Sequence, residues 1–381
     1  MALDNNLKIK SAGMSVNAQK VLKGSSWDFG KTNLDLEYGQ LNSYLKDNSI
    51  VVSQSFSFPT VYFNQNKLAD ARIKSSEWLY KGSQLDISTR VKQIYWQLSY
   101  LYSKQRLLFY QDSLYSGFLR AAELRAKSGE TNRLEMITAR SQSLDIKNQL
   151  NQATYDINIA TRELQTLLNT DIYICPVDTV LKRAGVYSIP DSSDMRLNPL
   201  LGYIKQQIEV SRSEKKLERS RMMPDLNIGY FSQTIQGTQE INGVPRTFGR
   251  EDRFTGLQAG IAIPLWVVPF TSKSKAAKIN EDIARADAEY FSKSLAGNFN
   301  SLVDEYRKYT GSVDYYEQQA VPEADLIIEQ SSKSFKAGAM DYLDYIFNLN
   351  RALKIRQDYL DALNNLNQTL INIDYITGKI L

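Results

Sequence analysis

The chain carries one arrangement twice. Gln54-Ser55-Phe56-Ser57-Phe58-Pro59 is echoed by Ala259-Gly260-Ile261-Ala262-Ile263-Pro264, each an alternating strand that stops at a proline and gives way to a long helical stretch. Further along, Gly129-Glu130-Thr131-Asn132-Arg133-Leu134-Glu135 is echoed by Gly338-Ala339-Met340-Asp341-Tyr342-Leu343-Asp344, each a glycine break between two helical runs. A duplicated helix, strand, strand, long helix, turn and long helix leaves few folds open, because both copies must satisfy one geometry. The copies span 1–192 and 193–381. Cutting between them would orphan strands, so they are expected to interleave, with a strand portion at about 30–60 and 225–266 and a helical portion around it.

The offsets locate the differences between the copies. Asn6 matches Asn198 and Leu34 matches Leu226, both 192 apart, whereas Pro59 and Pro264 are 205 apart and Gly129 and Gly338 are 209 apart. The 13 extra residues therefore lie between the two strands of the second pair, where a loop tip accepts length most cheaply. The region 238–253 is expected to be a longer version of the 42–48 connection. Four more residues fall within the second long helix.

Composition closes several classes. Lys+Arg 46 against Asp+Glu 42 is too balanced for the basic stripe that nucleic acid requires. With no histidine and one cysteine, neither a disulfide, a zinc cluster nor a histidine general base can be built. No phosphate loop or catalytic pair is recognisable, so no enzyme, cofactor or metal site is expected. Cys175, in Ile172-Tyr173-Ile174-Cys175-Pro176, reads as a small buried apolar residue. No apolar run reaches the roughly eighteen residues of a transmembrane helix, and no export signal opens the sequence.

The strands divide their chemistry between two faces. Leu34, Leu36 and Tyr38 oppose Asn33, Asp35 and Glu37; Ile50, Val52, Phe56 and Phe58 oppose Ser53, Ser55 and Ser57. In the second copy Leu226, Ile228 and Tyr230 oppose Asn227 and Gly229, and Leu257, Ala259, Ile261 and Ile263 oppose Gln258, Gly260 and Ala262. A strand of about ten residues suits a tilted bilayer crossing. Aromatic residues flank the apolar faces at one end, Trp27 and Phe29 before the first strand, Tyr62 and Phe63 after the second, Trp266 and Phe270 after the fourth. Four strands cannot close on themselves, so a membrane version needs strands from several chains. Phe56, Phe58, Ile261 and Ile263 would then face lipid, with Trp27 and Trp266 at the interface.

From about Leu68 to Lys127 the first long stretch has no proline, and its apolar residues recur at helical spacing: Ile87, Val91, Ile94, Leu98 and Leu101. Such a helix is roughly 90 Å long. Arg133–Asn169 returns against it, and Lys273–Lys336 with Tyr342–Thr377 repeats the hairpin. These stripes read as coiled-coil core.

In this order and double occurrence, the repeats, the strand-ending prolines and the paired turns resemble the TolC-type outer-membrane efflux channels along nearly the whole chain. The resemblance implies a mainly α protein with a membrane β-barrel portion. Three protomers would each give four strands to a 12-stranded barrel, and long helical hairpins would form a periplasmic tunnel. It implies a homotrimer in outer-membrane lipid, acting as exit duct of a tripartite efflux system with a periplasmic adaptor and an inner-membrane pump of the resistance–nodulation–division (RND) class. Ser128, Gly129, Arg133 and Leu134, with Ala337, Gly338, Met340 and Leu343, correspond to the turns that meet the adaptor. Asp344 corresponds to the first of two aspartates ringing the tunnel entrance; Phe347 stands where the second would be. The tyrosine-rich helices and the sequence around Phe56–Phe63 look most like channels that export heavy-metal cations. The other readings are a type I secretion duct and a periplasmic coiled-coil adaptor or scaffold.

Overall fold

The computed structural model describes residues 1–129, 133–184 and 189–379. Glu130, Thr131 and Asn132 of the first turn lie outside the described residues. In chain order the elements are α1 (Ala2–Asn5), α2 (Leu7–Leu22), β1 (Asn33–Gly39), β2 (Asp47–Phe56), α3 (Pro59–Lys127), α4 (Arg133–Leu168), α5 (Pro199–Ser220), β3 (Asp225–Thr234), β4 (Gly237–Ile241), β5 (Val244–Phe248), β6 (Arg253–Ala262), α6 (Val267–Tyr315), α7 (Val321–Lys336) and α8 (Tyr342–Ile376). Two compact units result, each drawing on both halves of the sequence: a helical unit of Met1–Ala12, Tyr80–Leu201 and Phe291–Leu381, and a strand unit of Gly13–Leu79 and Gly202–Tyr290.

In the strand unit β1, β2, β3 and β6 form one antiparallel sheet in the order β1-β2-β3-β6. The extra residues of the second copy are more than a loop, because β4 and β5 pair as a separate hairpin. Its turn is Asn242-Gly243, with φ of 53° and 77°. That left-handed pair matches strand twist and is what Asn-Gly favours. α3 begins at Pro59, nine residues earlier than the apolar spacing indicates, because a proline at a first helical position gives up no bond. Phe58, Val61, Leu68 and Ala71 then pack on Val210 and Leu217 of α5.

Glu281 ties α5 to α6. Its side chain is 5% exposed and is paired with Lys215, and with Arg285 at 2.7 Å. The hydrogen bond from Lys215, then that from Arg285, hold its carboxyl at about 2, below its ordinary 4.5. A depressed carboxyl contributes stability above its unfolded value and loses it as pH falls through the folded one. Glu281→Gln should therefore flatten the loss of thermal stability between about pH 4.5 and 2. Thermal melts followed by circular dichroism check this; an unchanged pH slope would remove Glu281 from the acid response.

The helical unit has seams of two kinds. Ile94, Leu98 and Leu101 of α3 pack on Ile157, Ala160 and Leu164 of α4, and α8 gives Tyr342, Tyr345, Ile346, Leu349 and Leu353 to another apolar cluster. Besides these apolar contacts, a ladder of polar ones joins α3 to α8: Tyr375 bonds Asp86, Gln93 bonds Asn372, Asn364 bonds Gln97, Tyr100 bonds Asp361 and Tyr115 bonds Asn350. The stretch expected as one helix over Lys273–Lys336 is divided by a π turn at Tyr316–Ala320. Pro322 explains it: a proline has no N–H for the carbonyl four residues back and its ring crowds that carbonyl, which a widened turn relieves.

Asn6 and Asn198 do one job in the two copies. Asn6 Oδ1 accepts from the backbone of Lys8 and Ile9 while its amide donates to the Leu167 carbonyl. Asn198 Oδ1 accepts from Leu200 and Leu201 while its amide donates to the Tyr375 and Ile376 carbonyls. Each asparagine starts one helix and caps the end of another. Cys175 departs from expectation, since it is exposed. It lies on the irregular segment after α4, where Ile174 turns inward against the α3–α4 core and Cys175, its neighbour, turns out.

Candidate functional site

The sheet sets its apolar residues in rows. Leu34, Val52, Tyr230 and Leu257 are neighbours across the four strands, and Phe56, Leu226 and Ile261 form a second row. Leu257 is 83% exposed, Ile261 65% and Leu34 61%. A continuous apolar face left in the open marks a surface meant for lipid or for another protein. The opposite face carries Ser55, Asn227 and Gly260 in one row and Ser53, Gly229 and Gln258 in another. Phe231 interrupts it. It pairs with Gly256, where an added Cβ would come within 2.5 Å of the ring, so the glycine is the space that admits it.

The period-two pattern ends earlier than its sequence suggests. β2 stops at Phe56, and Phe58, expected on the lipid face, is instead packed against the α3–α5 core because the chain is already turning into α3. Ile263, also past its strand, is 64% exposed, and Trp266 is 82% exposed. Trp27 stacks on Tyr62 at 6.1 Å and meets Phe63 edge-on at 5.5 Å, and Phe29 joins Tyr62 to Phe56. The outer strands β1 and β6 each have one side that pairs with no strand among the described residues. Unpaired edges of this length template further pairing.

The two turns sit together at one end of the helical unit. Gly129 and Gly338 have φ of 77° and 72°, a conformation that costs other residues about 1–2 kcal/mol. At the second turn Gly338 N–H donates to the Phe335 carbonyl and Ala339 N–H to that of Ser334, closing the last helical turn. α8 restarts at Asp341, whose carboxylate accepts from the Asp344 N–H at 2.8 Å. A cleft of about 800 Å³ lies between the turns, with Leu134, Phe335, Met340 and Leu343 on its walls and Arg125 paired to Glu135 at 3.6 Å. Ser128, Arg133 and Ala337, beside the turns in sequence, are exposed.

On α8 the buried face is Tyr342, Tyr345, Ile346 and Leu349, while Leu343, Asp344 and Phe347 point out; Leu343 is 72% and Phe347 67% exposed. Behind the cleft stands a cluster that the spacing did not single out. Phe118 of α3 stacks on Tyr342 at 4.8 Å and Phe335 of α7 on Tyr345 at 4.7 Å. It fixes both turns to their helices, and its signal, one ring before the turn and two after it, is legible only once the turn is placed.

The fold is shared with solved outer-membrane channels. The chain superposes on the outer-membrane channel OprN with a TM-score of 0.83 at 14% identity, covering 99% of this chain and 88% of that one. For the Campylobacter jejuni CmeC outer membrane channel the values are 0.81, 15%, 99% and 84%, and for CusC, a protein described as forming a transmembrane channel, 0.79, 14%, 99% and 90%. No curated protein sequence matches the chain. Residues 1–170 match the family model for outer membrane efflux proteins.

Proposed function

We propose that the chain is one protomer of a trimeric efflux channel in an outer membrane, whose three sheets join edge to edge as a barrel of twelve strands. The observation that carries this reading is the sheet itself, exposed and apolar on one face and open at both edges. In hydrocarbon each unpaired backbone group costs several kcal/mol, so such a sheet is tolerable only when other copies cover its edges. Phe56, Ile261 and Ile263 would contact lipid, while Ser55, Gly260 and Ala262 face the lumen. Mass measurement in detergent should give three chains of 43.4 kDa in one particle; a monomer with its four strands inserted would rule the reading out.

The cleft between the turns is the docking place for a periplasmic adaptor, itself coupled to an RND-type pump. Its apolar walls, with the polarizable thioether of Met340, suit the hairpin tip of a helical partner. Replacing both Gly129 and Gly338 by valine should abolish cross-linking to the adaptor with little loss of folding. A Cβ there meets no atom within 4 Å, so the cost is confined to the backbone of the turns. Cross-linking and export that survive the double replacement would place docking elsewhere.

Asp344 and Phe347 form the entrance. A ring of three carboxylates attracts cations, in keeping with export of metal cations. Asp344→Asn should reduce cation selectivity in planar bilayers; an unchanged reversal potential in a salt gradient would return Asp344 to a plain solvated helix surface.

A further inference from the structure

The net charge of +4 conceals an uneven distribution. In the strand unit most carboxylates on the helix ends next to the sheet are already engaged: Asp70 by Lys23 at 2.7 Å, Glu214 by Arg72 at 2.8 Å, Glu218 by Arg221 at 2.7 Å and Glu281 by Lys215 and Arg285. At the ends of the sheet next to these helices, Asp28 and Asp225 are among the carboxylates that no ion pair holds among the described residues. Against them stand Lys31, Lys67, Lys216, Arg219, Lys273 and Lys275, all exposed and none held by an ion pair among the described residues. Their positions share one relation to the sheet. Lys31 precedes β1 by two residues and Arg219 precedes β3 by six, while Lys67 and Lys273 each follow the end of β2 or β6 by eleven.

The same helix ends enclose a cleft of about 670 Å³, lined by Ser26, Gln65, Leu217, Arg221, Lys273 and Asn280. It is continuous in sequence with the aromatic cluster, since Ser26 adjoins Trp27 and Gln65 lies three residues past Tyr62. Gln65, on its wall, has its side-chain oxygen buried with no hydrogen-bond partner among the described residues. Cations beside an aromatic belt, at the foot of an apolar sheet, are placed where a leaflet's headgroups begin.

We propose that this basic collar and its cleft bind anionic phospholipid headgroups of the leaflet into which the strand ends project. In the cleft the phosphate pairs with Lys273, and around it Lys275 and Arg219 attract neighbouring anionic headgroups. The proposal rests on the membrane reading of the sheet. It adds a lipid preference which that reading does not require.

The full chain, purified in detergent, is reconstituted into nanodiscs of phosphatidylcholine alone or with phosphatidylglycerol, and the lipids that stay bound after extraction are weighed by native mass spectrometry. Phosphatidylglycerol should be retained in preference to phosphatidylcholine. The variant Arg219→Glu/Lys273→Glu/Lys275→Glu should weaken that retention at least roughly 100-fold, from about fivefold for each cation lost. Lys10→Glu/Arg140→Glu/Lys147→Glu, an equal charge change on exposed residues of the helical unit, should leave it intact. High salt should suppress the preference, and free inorganic phosphate at equal ionic strength should not displace the lipid. Insertion with equal retention of both lipids, an equal loss in the control variant, or displacement by phosphate would overturn the collar while leaving the channel reading in place. Failure to insert into either membrane would overturn both.

Discussion

Ile261→Arg should lower the fraction of chain inserted into a bilayer by the equivalent of about 2–4 kcal/mol if the site lies near the midplane, while Ala262→Arg, one residue on, should be nearly neutral. The argument is the alternation of β6. Ile261 stands in the row of Phe56 and Leu226, and Ala262 pairs with Asp225 on the other face. A guanidinium on the first face has only hydrocarbon to meet, whereas on the second it would be in water. Folding in vesicles titrated with urea measures the difference. Equal tolerance at both positions would mean that the exposed apolar face is covered by protein and not by lipid.

Leu349→Ala should cost about 3 kcal/mol, within the 2–5 kcal/mol that deleting a buried leucine costs when its surroundings cannot collapse. Leu349 is 1% exposed and belongs to a cluster drawn from α3, α4, α7 and α8, so its removal loosens the second turn from all of them at once. Hydrogen exchange should quicken in α7 and the first turns of α8 while the sheet is unaffected. Exchange that quickens equally in both units would show that they unfold together.

The strands and turns were legible because their signals are local. Leu34-Asp35-Leu36-Glu37-Tyr38 states its two faces in its own order, and Gly129 and Gly338 interrupt helical spacing where positive φ is needed. Asn242-Gly243 is an equally local hairpin signal, set within what the offsets between the copies present only as extra loop length. Pro322 likewise stands in the sequence, but the widened turn before it has no counterpart in the first copy, whose long helix has no proline after Pro59. What was not legible is pairwise. That Phe231 sits over Gly256, that Phe58 turns inward, and that Phe118 meets Tyr342 from some 200 residues away depend on contacts no single stretch encodes. The candidate site divides in the same way: both turn glycines stand in the order of the chain, Asp344 is pointed to only by the resemblance, and the cleft between the turns exists only once the chain is folded.

The seam between α3 and α8 has a consequence of its own. Apolar side chains attract one another with little regard for which meets which, so a leucine-lined contact can slide and still be dry. A ladder of amides, carboxylates and phenols is different, since each donor has one acceptor at one height. Displacing α8 along α3 by a single turn, about 5.4 Å, would mismatch Tyr375 with Asp86, Asn372 with Gln93, Asn364 with Gln97 and Tyr100 with Asp361 all at once. The polar seam is thus a vernier: the apolar clusters supply the adhesion, and the ladder reads the axial setting of α8 to within a fraction of a turn.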